Sequence, residues 1–346
     1  MSELRKLTID LRAKAPAWRI PERLEQEIVS AAPAGWTVHV VPTDTVSDGD
    51  GGQVPSLEAL AAIADAEVYV GYGITRPLFL AAKRLRWVHS AAAGVGSALF
   101  DEMRASNVVI SNSAGVHAIP IAEYVIGGLL HFWRGFDITA AAQRKPAWDR
   151  DEFLSDHCPV REAGENMVLI VGTGGIGGEI ATRLTALGAT CVGVRRRPDA
   201  GTPPGFAKVA GLDALDELLP HADALVLAAP FTPLTRGLIT AARLDALPSH
   251  ALVANVSRGA LLDEAALAER LTSGRLRGAV LDVFLKEPLA LDSPLWQLRR
   301  ALITPHVSGV SPLRFWDREG SLFRDNWRAY VAGQPMRNVV NKDAGY

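Results

Sequence analysis

The sequence predicts an α/β protein of two Rossmann-like, doubly wound parallel-sheet domains with an active-site cleft between them. Three observations carry this expectation. From Met167 onward, short apolar runs alternate with amphipathic stretches, the pattern of a parallel sheet covered on both faces. A glycine-rich turn, Gly172-Thr173-Gly174-Gly175-Ile176-Gly177, joins the first such run to the first such stretch. The chain has 346 residues, enough for two domains with cores of their own.

In the first third, strands are expected at residues 7–11, 37–41, 67–70, 86–90 and 108–111, and helices at 55–64 and 78–84. Residues 48–52 are rich in Gly and Asp and read as a surface loop. The apolar run 121–130, just after Pro120, reads as a buried helix. Residues 143–166 mix charge, proline and aromatics with little periodicity. They read as a solvated loop or as an arm that packs on another subunit. Trp148 and Phe153 are apolar side chains there, of a kind that anchors interfaces.

The β/α alternation then becomes strong. Strands are expected at 167–171, 190–194, 224–228, 251–256, 278–283 and 301–303. Ile176, Ile180, Leu184 and Leu187 recur at helical spacing and predict one apolar helix face. Asp263 is placed to cap a helix over 263–273. Residues 317–332 form an amphipathic tail helix. Its destination is the first domain, because the sheet pattern has already ended. The expected domains are therefore 1–117 with 307–346, and 118–306, the second carrying the arm at 143–166.

Bulk properties narrow the function classes. A net charge of −2 argues against a nucleic-acid or anionic-membrane partner. The two cysteines, Cys158 and Cys191, provide no disulfide framework and no zinc spacing, and no metal site is expected. The first residues lack the apolar stretch of a signal peptide, and no run reaches the length of a membrane span. A soluble cytoplasmic protein is expected.

Gly172 to Gly177 is a G-x-G-x-x-G fingerprint in the context its mechanism needs, after a strand and opening a helix. The first glycine makes the turn, the second admits the pyrophosphate and the third lets helix and strand pack closely. A diol-binding acid is expected at the end of the next strand. The residues there are Arg195, Arg196 and Arg197, with no acid before Asp199. Arginine at that point can pair with a 2′-phosphate. The alternative is a solvated basic turn.

Three later segments supply an arginine, a carboxylate and an imidazole in chain order. They are Asn255-Val256-Ser257-Arg258-Gly259, then Leu281-Asp282-Val283-Phe284-Leu285-Lys286-Glu287-Pro288-Leu289, then Leu302-Ile303-Thr304-Pro305-His306-Val307-Ser308-Gly309. Such a trio can reduce a 2-keto acid. The arginine holds the carboxylate and polarises the ketone, the imidazole carries a proton, and the neighbouring carboxylate sets its charge state.

With these motifs in view, the chain resembles the D-isomer-specific 2-hydroxyacid dehydrogenases, which include glyoxylate/hydroxypyruvate reductases and phosphoglycerate and formate dehydrogenases. The resemblance runs from about Glu67. It also takes in Trp87-Val88-His89-Ser90-Ala91-Ala92-Ala93-Gly94-Val95, Asn112-Ser113-Ala114-Gly115-Val116-His117-Ala118 and Asn338-Val339-Val340. Before Glu67 there is no specific motif. The resemblance implies that Arg258 binds substrate, that Glu287 is the acid paired with the histidine, and that His306 is the general acid/base. It implies a substrate-carboxylate cradle of backbone amides around Val70, Gly71, Gly94 and Val95. It implies cofactor contacts from Gly172, Thr173, Gly174, Gly175, Ile176, Gly177, Arg195, Arg196, Pro230, Thr232, Thr235, Val256, Ser257, Asp282, His306, Ser308 and Gly309. Asp282 would lie near the nicotinamide carboxamide, and residues 143–166 would be a dimerisation arm. The departure is Arg195, eighteen residues beyond Gly177, where many members carry aspartate. It points to NADP as the preferred cofactor, with NAD possible.

The expected function is hydride transfer between NAD(P)H and a small 2-keto acid, of the glyoxylate/hydroxypyruvate type, by a homodimer. The alternatives are a dehydrogenase of a bulkier or phosphorylated 2-hydroxy acid, and a dinucleotide-sensing corepressor-like protein. Among the eight histidines, only His306 has matching partners. His89 and His117 read as structural, His131 as packing, and the run Asp149, Asp151, Glu152 as a solvated face.

Overall fold

The computed structural model describes residues 4–45, 54–144, 148 and 150–345. The loop expected at 48–52, together with Asp149 and Tyr346, lies outside the described residues. The chain divides into two compact units, Met1–His117 with Val310–Tyr346, and Ala118–Gly309. Residues 307–309 were expected with the first unit but fall in the second. The amides of Val307 and Ser308 donate to the buried Asp282 carboxylate, which ties them there.

The first unit holds a parallel sheet of β1 (Arg5–Asp10), β2 (Trp36–Val40), β3 (Val68–Gly71), β4 (Trp87–Ser90) and β5 (Val109–Asn112), in the order β2-β1-β3-β4-β5. Successive residues feed opposite faces, as a period of two requires. Leu7, Ile9, Val68, Val70 and Trp87 line one core, and Tyr69, Val88 and Ile110 line the other. The helix Phe315–Val331 packs on the first of these cores through Phe315, Leu322, Phe323 and Trp327. The helix Glu22–Ser30, absent from the expected elements, covers the same core with Leu24 and Ile28.

The second unit holds seven parallel strands: β6 (Met167–Val171), β7 (Thr190–Val194), β8 (Lys208–Ala210), β9 (Ala224–Leu227), β10 (Leu252–Asn255), β11 (Gly278–Leu281) and β12 (Ala301–Ile303). Their order is β12-β11-β10-β9-β6-β7-β8. Strand order reverses between β6 and β9, so the loops after these two strands flank the crevice where such sheets bind ligands. The helix Gly175–Ala186 buries Ile180, Ala181 and Leu184. Leu187 does not share that face. It ends the helix and is exposed. Asp263 caps the helix Glu264–Thr272 by accepting from the Ala266 amide at 3.0 Å. Among the described residues, no helix is long and apolar enough to cross a membrane.

Candidate active site

Three strand ends of the second unit supply the trio. After β10, Asn255 is buried and takes both ends of its turn. Its Oδ1 accepts from Ser257 N at 3.1 Å, and its Nδ2 donates to Arg258 O at 3.1 Å. Gly259 follows because a Cβ there would overlap the backbone of Phe284 and Leu285. The Arg258 turn therefore lies directly against the segment that carries Glu287.

Glu287 accepts from Phe284 N through Oε1 at 2.9 Å and meets His306 Nδ1 through Oε2 at 2.7 Å. Burial opposes its charge. The hydrogen bonds from His306 and the Phe284 amide, and the positive charges of His306 and Arg258, outweigh burial and hold the carboxyl below the usual glutamate range. An ionised carboxylate can only accept, so Nδ1 of His306 is the donor.

His306 itself has φ +54, a left-handed backbone that costs a non-glycine residue about 1–3 kcal/mol unless its surroundings enforce it. Asp282 does so. This fully buried residue follows β11. Its carboxylate accepts from Thr304 Oγ1 at 2.5 Å, Val307 N at 2.8 Å and Ser308 N at 2.9 Å, and its carbonyl accepts from His306 N at 2.9 Å. The residues flanking the histidine are thus gripped from below. The family resemblance implies that Asp282 lies near the nicotinamide carboxamide. Its contacts in the protein are to the His306 loop.

The glycine fingerprint follows β6. Gly172 has φ +103 and packs on the Ala228–Ala229 backbone, and a Cβ on Gly177 would collide with the Gly172 carbonyl oxygen. Over Gly174 there is open space. After β9, Thr235 Oγ1 donates to Pro230 O and accepts from Thr232 N, each at 2.8 Å, which pins the 230–235 loop. Ser257 Oγ donates to Ala229 O and ties the Arg258 turn to that loop.

Residues 126–308 match the family model described as D-isomer specific 2-hydroxyacid dehydrogenase, NAD binding domain. The chain belongs to this family. It is 33% identical over 298 residues to a D-3-phosphoglycerate dehydrogenase of Mycobacterium bovis, covering 84% of this chain and 52% of that protein. The chain thus spans about half the length of such curated relatives. It is 32% identical over 277 residues to glyoxylate/hydroxypyruvate reductase A of Salmonella dublin, covering 77% of this chain and 84% of that protein. A solved NADPH-dependent glyoxylate/hydroxypyruvate reductase of Sinorhizobium meliloti, in complex with NADP and sulfate, aligns with TM-score 0.76 and 28% identity. That alignment covers 99% of this chain and all of the other.

Arg195, at the end of β7, sits against the fingerprint. Its Nη1 lies 3.5 Å from Thr173 Oγ1, and its Nη2 donates to the carbonyls of Pro198, at 3.3 Å, and Gly201. Its Nε is buried without a partner. Arg196 is exposed. In the first unit, Gly71 ends β3 and its carbonyl accepts from Ala91 N at 2.8 Å. The ring of Tyr69 fills the space a Cβ on Gly71 would need, and its hydroxyl donates to the buried Asp10 at 2.8 Å. Val70 and Val95 are buried, while Gly94 is exposed. In the arm, Trp148 is 93% exposed, whereas Phe153 is half-buried against Gly135. Phe153 packs within the chain near Gly135. Sequence reasoning missed Asn255. The signal was a polar residue at the end of an otherwise apolar strand.

Proposed function

We propose that the protein reduces small 2-keto acids, of the glyoxylate or hydroxypyruvate type, to D-2-hydroxy acids with NADPH preferred over NADH. The observation that carries this reading is the 2.7 Å pairing of His306 Nδ1 with Glu287, with Arg258 near enough to lower the Glu287 pKa. The fingerprint suits a dinucleotide, since the open space over Gly174 leads to the amides that begin the helix Gly175–Ala186. When bound, the nicotinamide supplies the hydride that goes to the keto carbon.

The protein's own groups handle charge and proton. Glu287 fixes Nδ1 of His306, so Nε2 is the atom that gives its proton to the keto oxygen. The adjacent carboxylate favours the imidazolium that this donation needs. The guanidinium of Arg258 grips the substrate carboxylate and stabilises negative charge as it builds on the oxygen. Amides at Gly71, Gly94 and Val95 are the further carboxylate partners that the family resemblance assigns. Arg195 and Arg196 would hold the 2′-phosphate of NADPH. The same reading makes the protein a cytoplasmic homodimer.

A second reading, a dehydrogenase of a phosphorylated 2-hydroxy acid, draws support from the mycobacterial relative. Initial rates against glyoxylate, hydroxypyruvate and a phosphorylated 2-keto acid, each with NADPH and NADH, separate the two. Fastest turnover of the small keto acids with NADPH is expected. Turnover confined to the phosphorylated acid would overturn the substrate assignment. Cofactor binding with no turnover of any keto acid would favour a dinucleotide sensor.

A further inference from the structure

We propose that Glu319 is a positioning residue for the loop after β4, acting as a hydrogen-bond relay between His89 and Ser113. The inference rests on the reading of Gly94 and Val95 as part of the substrate-carboxylate cradle. Glu319 lies on the amphipathic helix Phe315–Val331, yet it is 1% exposed. His89, Ser111 and Ser113 are fully buried around it.

Counting hydrogens along this group gives the relay its direction. Trp87 Nε1 can only donate, and it lies 2.9 Å from Ser111 Oγ. In the proposed relay the Ser111 hydroxyl keeps its hydrogen for His89 Nδ1, 2.8 Å away. That makes Nδ1 an acceptor and leaves Nε2–H to donate to Glu319 Oε1 at 3.0 Å. On the far side, Ser113 Oγ lies 2.6 Å from Glu319 Oε2 and 2.8 Å from Ser90 O. A carbonyl can only accept, and Ser113 has one hydroxyl hydrogen. Both contacts are bridged only if Ser113 donates to Ser90 O and Oε2 of Glu319 donates to Ser113. A single hydrogen on the Glu319 carboxyl closes the count, so that five contacts carry five hydrogens. Without it, two buried acceptors compete for one donor, an arrangement that burial penalises.

The relay ends on the loop that leads into the cradle. Ser90 O is held by Ser113 Oγ, Ala92 O accepts from Ser113 N at 3.2 Å, and Ala93 O accepts from Asn112 Nδ2 at 2.7 Å. Ala91 N donates to Gly71 O. These bonds fix the backbone immediately before Gly94 and Val95. Glu319 is the point at which the C-terminal helix locks them.

Two variants of the protein test the relay. In Glu319→Gln the amide oxygen accepts from His89 and the amide nitrogen donates to Ser113, so the relay is preserved. KM for the keto acid and kcat should stay within about twofold of wild type. Glu319→Met fills similar space with no polar atoms. Its keto-acid KM should rise about tenfold while the NADPH dissociation constant is unchanged. A Gln variant as impaired as the Met variant, or a Met variant with wild-type KM, would overturn the proposal. Should the Met variant fail to fold, Ser113→Ala should raise the same KM, and an unchanged KM there would equally overturn it. A readout independent of turnover is ¹⁵N NMR of histidine-labelled wild type, with the His89 signals assigned by their loss in His89→Gln. One slowly exchanging hydrogen on Nε2 and a bare Nδ1 are expected. Hydrogens on both ring nitrogens would overturn the relay even if no keto acid proved to be a substrate.

Discussion

At the scale of single residues, the proposed preference for NADPH rests on Arg195. An aspartate at this position would accept from ribose hydroxyls and repel a 2′-phosphate, whereas a guanidinium can only donate. Arg195 rests on Thr173 of the fingerprint and on two turn carbonyls, and its Nε lacks a partner. A charge-assisted hydrogen bond contributes about 1.5–3 kcal/mol, or roughly ten- to more than a hundredfold in affinity. Arg195→Asp should therefore shift the ratio of kcat/KM for NADPH over NADH toward NADH by at least about tenfold. An unchanged ratio would show that Arg195 is not the selector. Gly259 makes a different kind of prediction. A Cβ there overlaps the backbone of Phe284 and Leu285, and forced overpacking costs about 1–3 kcal/mol. Gly259→Ala should lower the Tm by several degrees, roughly 2–4 °C per kcal/mol for a unit of this size, as scanning calorimetry would show. A Tm equal to wild type would mean that the two segments can separate freely.

At the scale of elements, the loop after β12 works because β11 and its following residues hold it. Glu287 lends this arrangement a pH dependence whose sign is fixed. Its carboxyl is held below the ordinary range, so its stabilising contribution is present above that range and is lost as pH falls through the lowered value. For turnover, removing the carboxylate removes support for the imidazolium. The alkaline limb of keto-acid reduction in Glu287→Gln should therefore fall at lower pH than in wild type. Superimposable pH profiles would rule out the pairing as a functional one.

Much of this level was legible in the sequence. The strands β6, β7, β9, β10 and β11 were readable because both faces are largely buried, which forces unbroken apolar runs. The fingerprint and the trio were readable because their chemistry lies in short contiguous motifs. The edge strand β8 was not, being three residues with Lys208 exposed. Leu187 was misread because spacing and apolarity do not say which neighbour a side chain finds. The roles of Asp282 and Glu319 depend on partners brought near by folding, 230 positions apart for His89 and Glu319. No local pattern encodes that.

At the scale of the whole molecule, the proposed homodimer makes its own prediction. A tryptophan as exposed as Trp148, in the segment where the family resemblance puts a dimerisation arm, is a natural interface anchor. Sedimentation of the wild type should give twice the 37.0 kDa chain mass, and deletion of residues 143–166 should give monomer or insoluble protein. A soluble, active wild-type monomer would reject the dimer. The account as a whole rests on His306 as the group that carries the proton, since the orientation of Glu287, the left-handed backbone and the buried Asp282 all converge on it. The direct measurement is kcat/KM for glyoxylate reduction together with the NADPH dissociation constant, in wild type and in His306→Gln. Loss of general acid/base help predicts a fall of about 10²–10⁴-fold in turnover with cofactor affinity nearly unchanged. Turnover of His306→Gln close to wild type across the pH range would contradict it.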